Sequence, residues 1–403
     1  MQMSKRISCF QASPIRRLVP YSREAERKGI HVIHLNIGQP DILSPVEAID
    51  AVRNYDDDLI PYGLSEGEVS LRRQLLEYYR NYGIEGLDED NILITTGGSE
   101  AIQFAFMTLC DPYDEFIIPE PFYTNVATFA AIAMVNLVPV TSRLEDGFSL
   151  PPIADFEDRI TKKTMGIMLC SPNNPTGYVY SAEELKALLE LCRRRDIFLV
   201  VDEVYREFLY DGESFTSILS FPEYAERVIC VDSFSKRFSM CGSRVGAIVS
   251  RNREVLHSAM KLAQARLCPP MIEQTVAEAA LSAPIDYVEN VRKEYEERRN
   301  LAVRLFQEIP GVRVSMPKGA FYFVADLPID DAEKFATFML RDFSYEGNTV
   351  MVAPAEGFYV TPGMGRSQCR VAYVLKKEEL TMAARCLREG LRAYRAKVMK
   401  IEH

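Results

Sequence analysis

From about residue 70 onward, short apolar runs alternate with stretches whose apolar residues recur every three or four positions. The short runs fall at 92–96, 115–119, 136–140, 165–170, 197–202, 228–232 and 244–250, and each predicts a strand. Several are apolar throughout, as strands covered on both faces are, so a mostly parallel sheet flanked by helices is expected. The stretch before the fifth run illustrates the helical signal. Ser181 can cap, Glu184 completes a capping box, and Leu185, Leu188, Leu189 and Cys192 share one face. It opens after a Pro/Asn/Gly turn and closes before a strand, which is the pattern of a crossover helix between parallel strands.

Near Pro284 the pattern changes. Val288, Val291, Tyr295, Ala302, Leu305 and Ile309 predict a long helix, and strand-like runs follow at 320–325, 350–353 and 370–374. A last helix carries Leu380, Ala383, Leu387, Leu391, Tyr394 and Val398 on one stripe. The N-terminal segment, punctuated by Pro14, Pro20, Pro40 and Pro45, is expected to pack against these elements. The chain of 403 residues exceeds what one core usually organises. The expected division is a large domain over 48–285 and a small α+β domain built from 1–47 and 286–403.

Composition removes several function classes. The balance of 47 Lys+Arg against 57 Asp+Glu gives a net charge of −10, which argues against nucleic acid or an anionic membrane surface as a partner. Its basic runs, Arg193–Arg195 and the scatter over 388–400, lie beside acidic residues at helical spacing and read as solvated faces. The richest apolar stretch, 126–140, is short and interrupted by Thr128, Asn136 and Pro139, so no membrane span is expected. The opening MQMSKRISCFQASP lacks the apolar middle of a signal peptide. Nine cysteines, from Cys9 to Cys386, are scattered without a C-x-x-C pair, which implies reduced thiols and a cytoplasmic address. His31 and His34 could share a helix face, but no third ligand is near them, and His257 and His403 stand alone, so no metal site is expected.

Ligands of open α/β sheets sit beyond the carboxyl ends of the strands. The polar residues just past the predicted strands are Gly97-Gly98-Ser99-Glu100, Pro121-Phe122-Tyr123, Ser171 to Pro175, Asp202 to Tyr205 and Ser233 to Lys236. Asn174, Asp202 and Lys236 are separated by about one strand-helix-strand unit each, so all three should meet on one rim. A carboxylate, a tyrosine hydroxyl, an amide and a lysine amine gathered there match the needs of pyridoxal phosphate. The amine binds the cofactor, the carboxylate keeps the pyridine nitrogen protonated, and an aromatic side chain covers the ring. Gly97-Gly98-Ser99 also precedes an apolar helical pattern (Ala101, Ile102, Ala105), where free N–H groups and a hydroxyl can hold a dianion.

The segments NIGQPD (36–41), SPNNPTG (171–177), DEVY (202–205), SFSKRFSMCGSRVG (233–246) and CRVAYV (369–374) resemble the class I/II aminotransferase family, fold type I, and its aspartate aminotransferase-like members. The match runs from NIGQPD to the C-terminus. It implies an α/β fold with a mostly parallel central sheet in a large domain, plus a small α+β domain, and pyridoxal 5'-phosphate as cofactor. Carried over by position, it makes Lys236 the lysine that carries the cofactor and moves the substrate proton, with Asp202 facing the pyridine nitrogen. Tyr205 and Asn174 then bond the phenolic oxygen and Tyr123 stacks on the ring. Gly98, Ser99, Ser233, Ser235 and Arg244 hold the phosphate, and Tyr62 in PYGLSEG matches a tyrosine lent across a homodimer interface. Arg370 forks the substrate α-carboxylate, with Gly38 and Asn174 beside it.

The activity so implied is ping-pong transfer of an amino group between an L-amino acid (aspartate-like, aromatic or broad) and a 2-oxo acid. Two alternatives stand beside it. One is another activity of the same fold type, such as a carbon-sulfur β-lyase, since function lies in the pocket rather than the fold. The other is a pyridoxal-phosphate-binding regulator, although such proteins carry a DNA-binding domain ahead of the resembling part and only 35 residues precede NIGQPD here. Some aspartate aminotransferases place a lysine just after the Gly-Gly pair to meet a side-chain carboxylate; this chain has Ser99. It also has no tryptophan, so Tyr123 takes the place of the indole that some family members stack on the cofactor.

Overall fold

The computed structural model describes residues 7, 10, 13–56 and 58–399; Cys9 and His403 lie outside them. Seven strands form the main sheet, hydrogen-bonded in the order Ile92–Thr95, Gly246–Val249, Val228–Ser233, Phe198–Asp202, Thr164–Cys170, Glu115–Glu120 and Asn136–Thr141. Only Gly246–Val249 runs antiparallel to its neighbours. The mostly parallel α/β sheet is as the apolar runs predict, with ends displaced by a residue or two.

Strand alternation explains those runs. Leu199 and Val201 pack with Leu71, Leu75, Leu185, Leu188 and Val276 in one core, while Val200 between them packs with Ala101, Ile102, Phe129 and Leu256 in another. Both faces are covered, so no position is left for a polar side chain. The helix Ala182–Arg195 lies where the capping box predicts: Ser181 Oγ accepts from the Glu184 N–H at 3.1 Å and Glu184 accepts from the Ser181 N–H at 2.8 Å.

A third core joins residues 18–35 to residues 291–394 and reaches the main-sheet rim at Cys170, Tyr205 and Phe208. It contains a four-stranded antiparallel sheet (Ala353–Pro354, Gln368–Ala372, Tyr322–Asp326, Arg313–Val314) and a parallel pair (His31–His34, Asn348–Met351). Helices Val19–Arg27, Ile285–Gln307, Ala332–Asp342 and Lys377–Met399 accompany them.

Three sequence expectations are corrected. His31 and His34 lie on a strand, where residues three apart face opposite ways, so they share no face. The run at 350–353 is divided: Asn348–Met351 pairs with His31–His34, and Ala353–Pro354 crosses to the other sheet. The run at 244–250 begins its strand only at Gly246, because Arg244 has left-handed backbone (φ 57°) and breaks the extended conformation just before it.

Candidate active site

Strands Thr164–Cys170, Phe198–Asp202 and Val228–Ser233 are parallel neighbours, so their carboxyl ends open on one rim. Asn174, Asp202, Tyr205 and Lys236 are thereby brought together. Asn174 Nδ2 donates to Tyr205 Oη at 3.4 Å, and Asn174 Oδ1 accepts from Arg370 Nη1 at 3.1 Å. Arg370 arrives from the antiparallel sheet, fully buried, with Nη2 donating to the Asn36 carbonyl at 2.5 Å. Its guanidinium lies 4.5 Å from the centre of the Tyr322 ring and 5.2 Å from that of Phe358. Among the described residues its buried Nε has no hydrogen-bond partner. A buried cation with an open donor fits an incoming carboxylate.

Lys236 Nζ donates to the Gly38 carbonyl at 2.8 Å and lies 3.7 Å from Cys241 Sγ. Burial opposes its charge, but Tyr322, Cys241 and Tyr123 outweigh that and hold its pKa above the ordinary value. Asp202 presents the opposite problem. Burial pushes its carboxyl up to about 7, relieved in part by the Val204 N–H donating at 3.2 Å, while Asp232 and Glu203 push it further. Asp202 lines a small cavity with Ile118, Phe122, Tyr123 and Cys170. The Tyr123 hydroxyl accepts from Asn125 Nδ2 at 2.7 Å, and its surroundings include Lys236, Tyr322, Arg370 and Asp202.

At the far end of the rim, Gly97 opens the helix Gly97–Leu109 with φ 75°. A Cβ at Gly97 would lie 2.5 Å from Arg244 Nη2, so the glycine lets the guanidinium close on the helix start. Arg244 Nη1 donates to the Cys241 carbonyl at 2.9 Å and to Ser235 Oγ at 3.4 Å, and Ser233 Oγ to Ser235 Oγ is 2.9 Å. Gly98 packs on Ser233, and Ser99 follows it in the first helical turn. Helix N–H groups, two hydroxyls and a guanidinium side by side suit a phosphate dianion. Tyr62 alone stands apart from the group, 79% exposed.

Behind the rim lies a buried ionic lattice. Arg206 pairs with Glu203 at 3.2 Å and with Asp232 at 3.4 Å; Arg237 pairs with Asp232 and, at 3.4 Å, with Glu207. Tyr79 donates to Asp232 at 2.6 Å, and Tyr78 donates to Glu207. The residues facing the site and those in the lattice are immediate chain neighbours: Asp202 with Glu203, Tyr205 with Arg206, Lys236 with Arg237.

Residues 30–387 match the sequence model of the aminotransferase class I and II family. The chain belongs to this family. It is 31% identical to the aspartate aminotransferase of Pyrococcus horikoshii over 395 residues, 96% of this chain and 97% of that one. Its fold is similar to that of aspartate aminotransferase from Thermus thermophilus with maleate (TM-score 0.87, 28% identity) and of alanine aminotransferase from Pyrococcus furiosus (TM-score 0.87, 29% identity). Each comparison covers 97% of this chain and all of the other. This protein is therefore an aminotransferase of the fold the resemblance implies. Among its described residues no helix is long and apolar enough to cross a membrane, and no cluster of three metal-ligating side chains occurs.

Two groups in this aminotransferase site are not signalled by the sequence: the Asn36 carbonyl and the Cys241 thiol. Gly319-Ala320-Phe321-Tyr322 resembles a family segment near the substrate, but it reads equally well as core strand, so the sequence assigns Tyr322 no role.

Proposed function

We propose that this aminotransferase holds pyridoxal 5'-phosphate between Tyr123 and Asp202 and moves amino groups between L-amino acids and 2-oxo acids. One observation carries the reading: Asp202, Lys236 and Arg370 converge from three separate elements on one rim, each buried or half-buried and each open to a ligand of opposite charge. The donor set fits the cofactor. Asp202 would meet the pyridine nitrogen, Tyr205 and Asn174 the phenolic oxygen, and Gly98, Ser99, Ser233, Ser235 and Arg244 the phosphate. When bound, the cofactor supplies a carbonyl that takes the substrate amine and a cationic ring that draws electrons from the bond being broken.

The chain's own groups do the rest. Lys236 Nζ, a neutral amine once the substrate amine has taken its place on the cofactor, would take the proton from the substrate α-carbon and return it on the cofactor side, with the Gly38 carbonyl beside it. Arg370 forks the α-carboxylate with Nε and an Nη group, and Asn174 keeps the guanidinium plane fixed. The related proteins named above act on aspartate and on alanine, and Ser99 offers no cation to a side-chain carboxylate. We therefore extend the reading to aspartate-like, aromatic and broad neutral substrates. The division into 48–285 and the two chain ends, a homodimer to which Tyr62 contributes, and a cytoplasmic address suited to free thiols belong to the same proposal.

The test is an absorbance screen. Purified protein is loaded with pyridoxal phosphate, single amino acids are added, and loss of the bound-cofactor band is read together with 2-oxo acid released. Loss of the band with one equivalent of oxo acid, absent in Lys236→Ala, supports the reading. Multiple turnovers by Lys236→Ala would overturn the role of the lysine, and release of the substrate side-chain group would make the protein a β-lyase.

A further inference from the structure

Tyr322 is the most central side chain of the site to which no part has been given. It lies on the strand Tyr322–Asp326, where Val324 pairs with Arg370, so Tyr322 and Arg370 share one sheet face as diagonal neighbours. The turn before it is pinned from several sides: the Ala320 N–H donates to the Phe208 carbonyl at 3.0 Å, and the Ala320 carbonyl accepts from Tyr210 Oη at 2.5 Å and Tyr373 Oη at 3.0 Å. The ring is therefore a fixed platform under the Arg370 guanidinium. Its hydroxyl reaches past the arginine to two acceptors for its one proton, Tyr205 Oη at 3.0 Å and the Gly38 carbonyl at 3.4 Å, of which Tyr205 is the nearer and the Gly38 carbonyl already accepts from Lys236 Nζ at 2.8 Å. A Cβ at residue 38 would fall 1.8 Å from Tyr322 Oη, so Gly38 is the residue that makes room for this contact.

We infer that Tyr322 is a positioning residue of the reaction, which donates its hydroxyl proton to Tyr205 Oη and thereby aims the single Tyr205 proton at the cofactor's phenolic oxygen. The inference rests on the proposed cofactor site. A phenol has one proton to give and lone pairs to fill. With no donor on its oxygen, Tyr205 is free to turn its proton toward Tyr322 or elsewhere. Asn174 Nδ2 offers a donor at 3.4 Å, and the Tyr322 contact at 3.0 Å is the shorter of the two. With both donors in place, the only direction left for the Tyr205 proton is outward, into the site. A hydrogen bond polarised in this way from behind is also the stronger donor. The same ring bears on Arg370, so one side chain touches both the group that meets the substrate carboxylate and the group that tunes the cofactor.

The experiment is a spectrophotometric pH titration of the bound cofactor in wild type, Tyr322→Phe, Tyr205→Phe and the double variant, with steady-state rates beside it. Tyr322→Phe keeps the ring under Arg370 and deletes only the hydroxyl. Loss of the aimed proton leaves the ionised phenolic oxygen less stabilised, so the titration midpoint should rise by about half to one unit. The fall in kcat should be ~3-fold to ~10-fold, with KM for the amino acid little changed. In a Tyr205→Phe background the further change to Tyr322→Phe should leave the midpoint where it is, since Tyr322 acts through Tyr205. An unchanged midpoint in Tyr322→Phe, or additive shifts in the double variant, would overturn the inference while leaving the cofactor site intact. A wild-type protein that takes up no pyridoxal phosphate would overturn both.

Discussion

Asn174 and Arg370, 196 residues apart in the chain, are joined at 3.1 Å across the seam between the main sheet and the antiparallel sheet. The bond fixes the guanidinium plane before any substrate arrives, and the Asn36 carbonyl fixes it from the other side. Arg370→Lys keeps the charge but has neither the planar fork nor the reach to both carbonyl oxygens. We expect kcat/KM for any amino acid to fall about 100-fold, the ~3 kcal/mol of a lost pair of charge-assisted bonds. Cofactor affinity, measured by absorbance titration, should stay the same.

Asp202 gives the cofactor-free protein a pH-dependent weakness. Its carboxyl is pushed up to about 7 by burial, against an ordinary value near 4, so the folded chain holds a proton there that the unfolded chain has released. Stability from this group is thus present below pH 4 and declines as pH rises through 7. Asp202→Asn removes the titrating proton. The melting temperature of the cofactor-free variant relative to wild type should be higher at pH 8 than at pH 5, because the stabilisation falls between pH 4 and 7 and is fully lost at pH 8, while its affinity for pyridoxal phosphate falls. Equal melting differences at the two pH values would contradict the assignment.

Within the lattice, Asp232 and Glu207 should respond very differently to loss of charge. Burial works against the charge of Asp232, but Arg206 and Arg237 hold its carboxyl well below the usual range. Asp232→Asn leaves two buried guanidinium groups short of a counter-charge and should cost about 3–5 kcal/mol in urea unfolding. Glu207 is pushed up to about 7 by burial despite Arg237, so near neutrality it is already partly protonated. Glu207→Gln should cost about 1 kcal/mol or less at pH 7.

Leu59, Ile60, Tyr62 and Leu64 are all exposed, and Leu267 beside them is tied to this segment by Ser65 Oγ at 2.6 Å. Such an apolar patch suits a second copy of the chain. If Tyr62 serves the partner's site, Tyr62→Ala and Lys236→Ala proteins, each inactive or weakly active alone, should regain activity when mixed and allowed to exchange subunits. The mixed dimer carries one site with both residues intact. Absence of recovery despite demonstrated exchange would remove Tyr62 from the site.

The main sheet was legible because its strands are buried on both faces, and unbroken runs such as Leu199-Val200-Val201 have few alternatives. The rim residues were legible because each follows a strand end at the spacing of one crossover unit. Tyr322 was not, since its importance depends on register with Arg370 and on the approach of Gly38, 284 residues earlier. The lattice was also hidden. Glu203, Arg206, Glu207, Asp232 and Arg237 look like surface charges in sequence, because their local pairs, Glu203 with Arg206 and Asp232 with Arg237, have ordinary surface spacing and the links between the two segments, Arg206 to Asp232 and Arg237 to Glu207, are set only by the fold.

Along 202–207 and 232–237, Asp202, Tyr205, Ser233 and Lys236 are each flanked by a residue locked into the lattice behind them. A replacement on the lattice side of either segment is therefore felt on its site side, and the reverse. A protein on this scaffold that acquires a taste for a different amino acid must write that change outside these two segments, for instance at the exposed Ile37.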